Sequence, residues 1–222
     1  MRETRSLSAK NPDEQSAENA GAPSPVRLES FSDGVIAVII TVMVLNLRLP
    51  SHDGLMGLRE ILPAGAIYLL SFVFTGVYWL NHQQLTRRLH VAGYALQVAN
   101  LAFLFCLSLL PFSTYYLISR YISTYSVQQY ATTLLLIGTS FYLVRVAVHR
   151  HLSLHNELTE RDERSRLKHR LSMALYLLCI PLAIHFPKLA LEVLAIDTAV
   201  WALPGLSLHV LKRPSRLTSR GD

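Results

Sequence analysis

Phe31-Ser32-Asp33-Gly34 opens a run that stays almost purely apolar from Val35 to Leu49, with Thr41, Asn46 and Arg48 as its polar exceptions. A stretch from 31 to 49 is about as long as a helix needs to cross the hydrocarbon core of a bilayer. A carboxylate stands in its first turns. At mid-membrane an Asp costs roughly 2.5–3.5 kcal/mol on insertion scales, so Asp33 belongs near an interface, against a partner, or facing other protein.

Five more apolar runs follow, each ended by breakers or charges. The six spans read as 31–49, 62–84, 93–117, 128–148, 170–186 and 188–210. Pro50-Ser51-His52-Asp53-Gly54 closes the first, and Asn81-His82-Gln83-Gln84 the second. Pro111 falls near the end of the third, Pro181 inside the fifth, and Pro204-Gly205 near the end of the sixth. The fold class is therefore all-α, a polytopic membrane protein with its six-helix membrane domain over 27–211. Residues 1–26, rich in Ser, Ala, Asn, Glu, Gln and Pro without an apolar core, read as a disordered cytosolic tail rather than a signal peptide. Residues 212–222 read as a basic cytosolic tail.

Charge sets the orientation. Sixteen Lys and Arg fall in the N-terminal tail, the 84–93 connection, the 149–170 connection and the C-terminal tail; Arg48, Arg59, Arg120 and Lys188 lie on the other side. This bias puts both termini in the cytosol of a cell-membrane protein. The formal charge of +6 does not suggest nucleic acid, because the basic residues sit between apolar spans. Cys106 and Cys179 fall inside apolar runs and read as packing residues. No Cys/His cluster has metal-ligand spacing, no nucleophile–base pair has informative spacing, and no phosphate loop is present, so neither an enzyme nor a cofactor is expected. The 149–170 connection, with alternating acids and bases, reads as a solvated helical extension of its flanking spans. Arg145 reads as a snorkelling end residue. Tyr115, Tyr116, Tyr121 and Tyr125 read as an interfacial belt.

Helical geometry sorts the first span into faces. At about 100° per residue, Val38, Val42, Leu45 and Leu49 share one face, Thr41 borders it, and Asp33 points elsewhere. Taken alone, such a stripe is ordinary packing or lipid contact. Ser30 and Asp33 have the spacing of a helix-start capping box, which could be all that Asp33 does.

Three stretches carry a family resemblance. Arg27-x-x-x-Phe31-Ser32-Asp33-Gly34 with its apolar continuation, the segment Ser71 to His82 ending in Trp79-x-x-His82, and Asn100 to Thr114 with its Pro111-Phe112 resemble, in order, the first three helices of the transmembrane protein 175 family. That family comprises the endosomal and lysosomal potassium channel and its shorter prokaryotic relatives. The resemblance implies a potassium-permeable cation channel, open also to proton permeation, built as a homotetramer in a lipid bilayer with four first helices around the axis. Val38, Thr41, Val42 and Leu45 then line the pore, forming an apolar constriction in place of a carbonyl filter. Val38 is shorter than the Ile or Leu frequent there in the family, which implies a wider constriction and weaker discrimination among monovalent cations. Arg27, Phe31, Ser32 and Asp33 would join Trp79 and His82 in a polar network behind the pore, the imidazole beside the carboxylate. Two rivals stand beside the channel: a proton- or ion-coupled transporter using Asp33 and His82, and a membrane enzyme or scaffold without permeation.

Overall fold

The computed structural model describes residues 25–89, 92–154 and 160–203, and these are helical throughout apart from short connections. In chain order the helices are α1 (Pro25–Val44), α2 (Gly54–Thr86), α3 (Tyr94–Ser108), α4 (Leu110–Ser119), α5 (Thr124–Leu154), α6 (Glu160–His185) and α7 (Pro187–Ala202). Four segments are long and apolar enough to cross a bilayer: Gly54–Thr86, Tyr94–Ser119, Thr124–Arg150 and Asp162–His185. The protein is thus an all-helical, multi-pass membrane protein. In hydrocarbon, helices satisfy their own backbone groups, which is why the connections between them are short.

The first and last helices differ from the sequence expectation. α1 starts at Pro25, six residues before the expected span, since proline suits the first turn, where its missing N–H is no loss. It ends at Val44, and the next turn tightens through Leu45 N to Val42 O (3.2 Å), Asn46 N to Met43 O (3.3 Å) and Leu47 N to Val44 O (3.1 Å). Arg27, Glu29 and Asp33 crowd its first half, so its apolar part covers only 34–44, roughly 16 Å at about 1.5 Å per residue. α7 is 16 residues long. The expected sixth span, 188–210, runs past the described residues, as do both tails apart from residues 25 and 26.

Proline explains one further boundary. The third span is two helices: α3 ends at Ser108 and α4 begins at Leu110, with Pro111 in the first turn of α4. A proline ring clashes with the carbonyl four residues back, which breaks the ladder there. Pro181, by contrast, sits inside a continuous α6. α5 and α6 extend six residues past and ten residues ahead of the spans read from hydropathy, to Leu154 and from Glu160. Polar ends such as these are stabilised by solvent and by side-chain pairs. One such pair, Arg88 Nη1 to Asp162 Oδ1 at 2.7 Å, ties the end of α2 to the start of α6.

Inside the bundle, aromatic rings and hydroxyls hold the helices together. Tyr78 of α2 meets Phe141 of α5 edge-on at 5.1 Å, and Phe141 lies 5.1 Å from Phe103 of α3. Deeper along α2, Tyr130 OH and Thr114 Oγ1 both reach Ser71 Oγ, at 2.9 and 2.8 Å. These bonds join α2, α4 and α5 where lipid offers no hydrophobic drive between helices. Asp197 fastens α7: its two carboxylate oxygens accept from Ser172 Oγ and Tyr176 OH of α6, each at 2.8 Å. Arg145 does not snorkel. It is 4% exposed, with its guanidinium over the Phe141 ring at 5.6 Å, because it faces the bundle interior rather than the helix end.

Candidate functional site

α1 carries two faces with different fates. Leu28, Ser32, Ile36, Ile39 and Met43 recur at spacings of three and four and are buried against the rest of the bundle. α2, α3 and α4 supply that contact. On the opposite side Arg27, Phe31, Gly34, Val38, Thr41, Val42 and Leu45 are exposed. Val38 is 59% exposed and Leu45 79%, against 5% for the adjacent Ile39. Within this broad exposed face, which also takes in Val26, Ser30, Ala37 and Val44, positions 27, 31, 34, 38, 41 and 45 follow one another by four and three, a spacing that suits a seam between helices. Leu45 lies in the tightened turn after α1 rather than in the helix itself, so the apolar stripe is shorter than the sequence suggested. Thr41 Oγ1 turns back to the backbone carbonyls of Val38 (2.9 Å) and Ala37 (3.1 Å), so its hydroxyl proton is engaged locally.

Behind this helix runs a buried chain of polar side chains. Ser32 Oγ donates to Leu28 O at 2.8 Å and accepts from Asn100 Nδ2 at 2.9 Å. Asn100 Oδ1 bonds His82 Nε2 at 2.8 Å. Since the Asn100 amide donates to Ser32, its oxygen must accept, so Nε2 is the His82 nitrogen that carries the proton. The imidazole stacks on Phe103 at 5.8 Å, and its Nδ1 is buried without a hydrogen-bond partner. Asp33 takes a different partner: its Oδ1 accepts from Trp79 Nε1 at 2.8 Å.

Two details of the expected network change. His82 and Asp33 share no hydrogen bond or ion pair among the described residues; α2 meets α1 by two separate links, His82 through Asn100 to Ser32 and Trp79 directly to Asp33. The reason is direction. Ser32 points into the bundle and is fully buried, whereas Asp33, one residue or about 100° further round, reaches only the flank of α2. The capping role for Ser30 and Asp33 also fails, because α1 begins at Pro25 and both residues sit well inside it. Arg27 and Phe31 lie on the exposed face, away from the buried chain. Asn100 is the member that sequence reasoning left out of the network. Its signal was an amide in the middle of an apolar helix, where a polar side chain needs an interhelical partner.

The profile of the family described as "Endosomal/lysosomal potassium channel TMEM175" matches residues 27–111, which hold every residue of this chain of bonds. A potassium channel of Chryseobacterium sp. (strain P1-3) is 32% identical over 178 residues, covering 80% of this chain and 92% of that relative. The chain belongs to the TMEM175 family. A potassium channel of Streptomyces collinus is 37% identical over 92 residues, 40% of this chain and 45% of its own length. Among solved structures, the lysosomal potassium-selective channel TMEM175 homolog from Chamaesiphon minutus is similar with a TM-score of 0.69 and 26% identity, over 80% of this chain and 96% of that one. For a TMEM175 chain the two-faced α1 acquires a meaning. The buried face and its Ser32–Asn100–His82 bonds fix the helix's rotation within the bundle, and that rotation decides which side chains point outward.

Among the described residues no group of three His, Cys, Asp or Glu could hold a metal ion. The transporter reading is not favoured: its proposed coupling pair shares no hydrogen bond or ion pair among the described residues, and the curated relatives are named as channels.

Proposed function

We propose that this chain is a subunit of a potassium-permeable cation channel, not an enzyme, in which copies of α1 surround the ion path. One observation carries the proposal. α1 exposes an apolar stripe at heptad spacing, with Val38, Thr41, Val42 and Leu45 outward, while its opposite face is fully used inside the subunit. An apolar outward face also suits lipid contact; membership of the TMEM175 family is what favours a shared axis for it. In a homotetramer, each of these positions would form a ring of four. An apolar ring narrow enough to shed water blocks ions through lost hydration, so its width and polarity set the current. With α1 and α7 crossing beside the four long apolar segments, each subunit has six spans. The Lys/Arg bias then places both termini in the cytosol.

Recording from purified protein in planar bilayers under potassium and sodium gradients tests this reading. Val38→Asn should raise leak current and flatten potassium-over-sodium preference with the oligomer intact. Ile39→Asn, about 100° away on the buried face, should lower the yield of folded oligomer instead. If Val38→Asn leaves conductance and selectivity at parental values in an intact oligomer, the stripe is a packing surface and the ion path lies elsewhere. Proton current under a pH gradient is the separate check on proton permeation.

A further inference from the structure

α3 and α5 lean together at the end of the bundle that carries Arg87, Arg88 and Arg150, yet they do not close the seam between them. Gly93, Ala95 and Ala99 on one side and Ala147 on the other are too small to fill it. The result is an open groove of about 410 Å³. Its lining is apolar except at the mouth, where Arg150 stands. The polar run His149-Arg150-His151 closes the apolar stretch of α5, which puts Arg150 at headgroup depth. Leu143, at the groove's other end, is seven residues or roughly 10 Å deeper. The groove therefore runs from the interface into the hydrocarbon. Arg88 is held by Asp162, but Arg150 has no side-chain partner among the described residues.

From this geometry we infer a binding site for an anionic phospholipid, one acyl chain lying in the α3–α5 groove and the phosphate on the Arg150 guanidinium. The chemistry selects this occupant. A soluble anion has no use for the apolar slot, and a zwitterionic lipid brings no net charge for the arginine. Basic residues at the mouths of clefts between membrane helices recognise anionic headgroups in this way. The guanidinium also offers a planar fork of donors that matches phosphate oxygens. A lipid wedged there would tie α3, which carries Asn100, to α5.

Native mass spectrometry of the delipidated, purified oligomer tests the site, titrating phosphatidylglycerol against phosphatidylcholine of the same acyl chains. The parent should prefer phosphatidylglycerol by about fivefold or more, the effect of one basic residue at an anionic surface. Arg150→Gln should abolish the preference while keeping weak, headgroup-blind binding. Ala147→Phe should fill the groove and lose both lipids; Ala95→Leu, on the facing helix, does the same if the first variant fails to fold. Equal binding of the two lipids by the parent overturns the inference. So does a preference that survives both groove-filling variants, or dissociation of the oligomer by them with lipid binding unchanged, which would make the groove a contact between subunits.

Discussion

Asn100→Leu is the sharpest probe of how α1 is held. Leucine has nearly the shape of asparagine, so little cavity is created and the change isolates the hydrogen bonds. Two partners are affected. His82 Nε2, now bonded at 2.8 Å in a fully buried site, loses its only acceptor. Leaving a buried donor unmade costs about 1–3 kcal/mol. Ser32 Oγ loses a donor but still bonds Leu28 O, so its share falls at the lower end of that range. The expected loss is about 2–3 kcal/mol, roughly 30- to 150-fold in the folding equilibrium. Adding His82→Phe should restore most of it. The ring stays stacked on Phe103 and the orphaned donor disappears; replacing both partners of a buried bond by apolar groups of similar shape is close to neutral. A double-mutant cycle from sodium dodecyl sulfate unfolding in mixed micelles, followed by circular dichroism, reads the coupling directly. The reasoning is refuted if Asn100→Leu alone costs less than about 0.5 kcal/mol, or if the double variant is as unstable as the two single losses added together.

Three further expectations follow from packing and burial. A side chain at Gly138 would meet Met173 Cγ at 3.3 Å and Tyr78 OH at 3.4 Å, so Gly138→Val should destabilise by about 1–3 kcal/mol in the same unfolding assay. Arg145 is buried with its Nε unpartnered, so Arg145→Met should leave stability unchanged or raise it; a loss above about 2 kcal/mol would mean the guanidinium makes interactions worth more than its desolvation. Asp197→Leu strips the acceptor from Ser172 and Tyr176 at once and should lower the melting temperature by more than Asp197→Asn, which keeps one acceptor oxygen; equal melting temperatures would show that α7 is held by its apolar contacts alone.

Much of this fold is written in apolar run length. The four long segments are legible because continuous hydrophobicity over a bilayer's width has few other meanings, and the family is legible because Arg27, Phe31, Ser32, Asp33, Trp79 and His82 sit in recognisable local patterns. The remainder depends on three-dimensional direction. Nothing local to α1 says that Ser32 rather than Asp33 points at α3, or that Asn100 stands between Ser32 and His82. Arg145 looked like a terminal residue because hydropathy ended the span at 148, whereas α5 continues to Leu154 and buries the guanidinium over Phe141. Boundaries failed in the same manner: hydropathy records where side chains turn polar, and helices here run on into water.

The brevity of α1's apolar part has an electrical consequence. Within α1 only 34–44 is free of charge, about half the thickness of a hydrocarbon core. Where electrolyte fills the path on either side of such a collar in the proposed assembly, it conducts. The membrane voltage then falls almost wholly across three helical turns instead of across the full bilayer. Work of about 2.3 kcal/mol per unit charge per 100 mV is delivered within roughly 16 Å. A single added charge at Val38 would sit inside that steep drop and make the current rectify, whereas the same charge at Arg27's level would feel almost none of it.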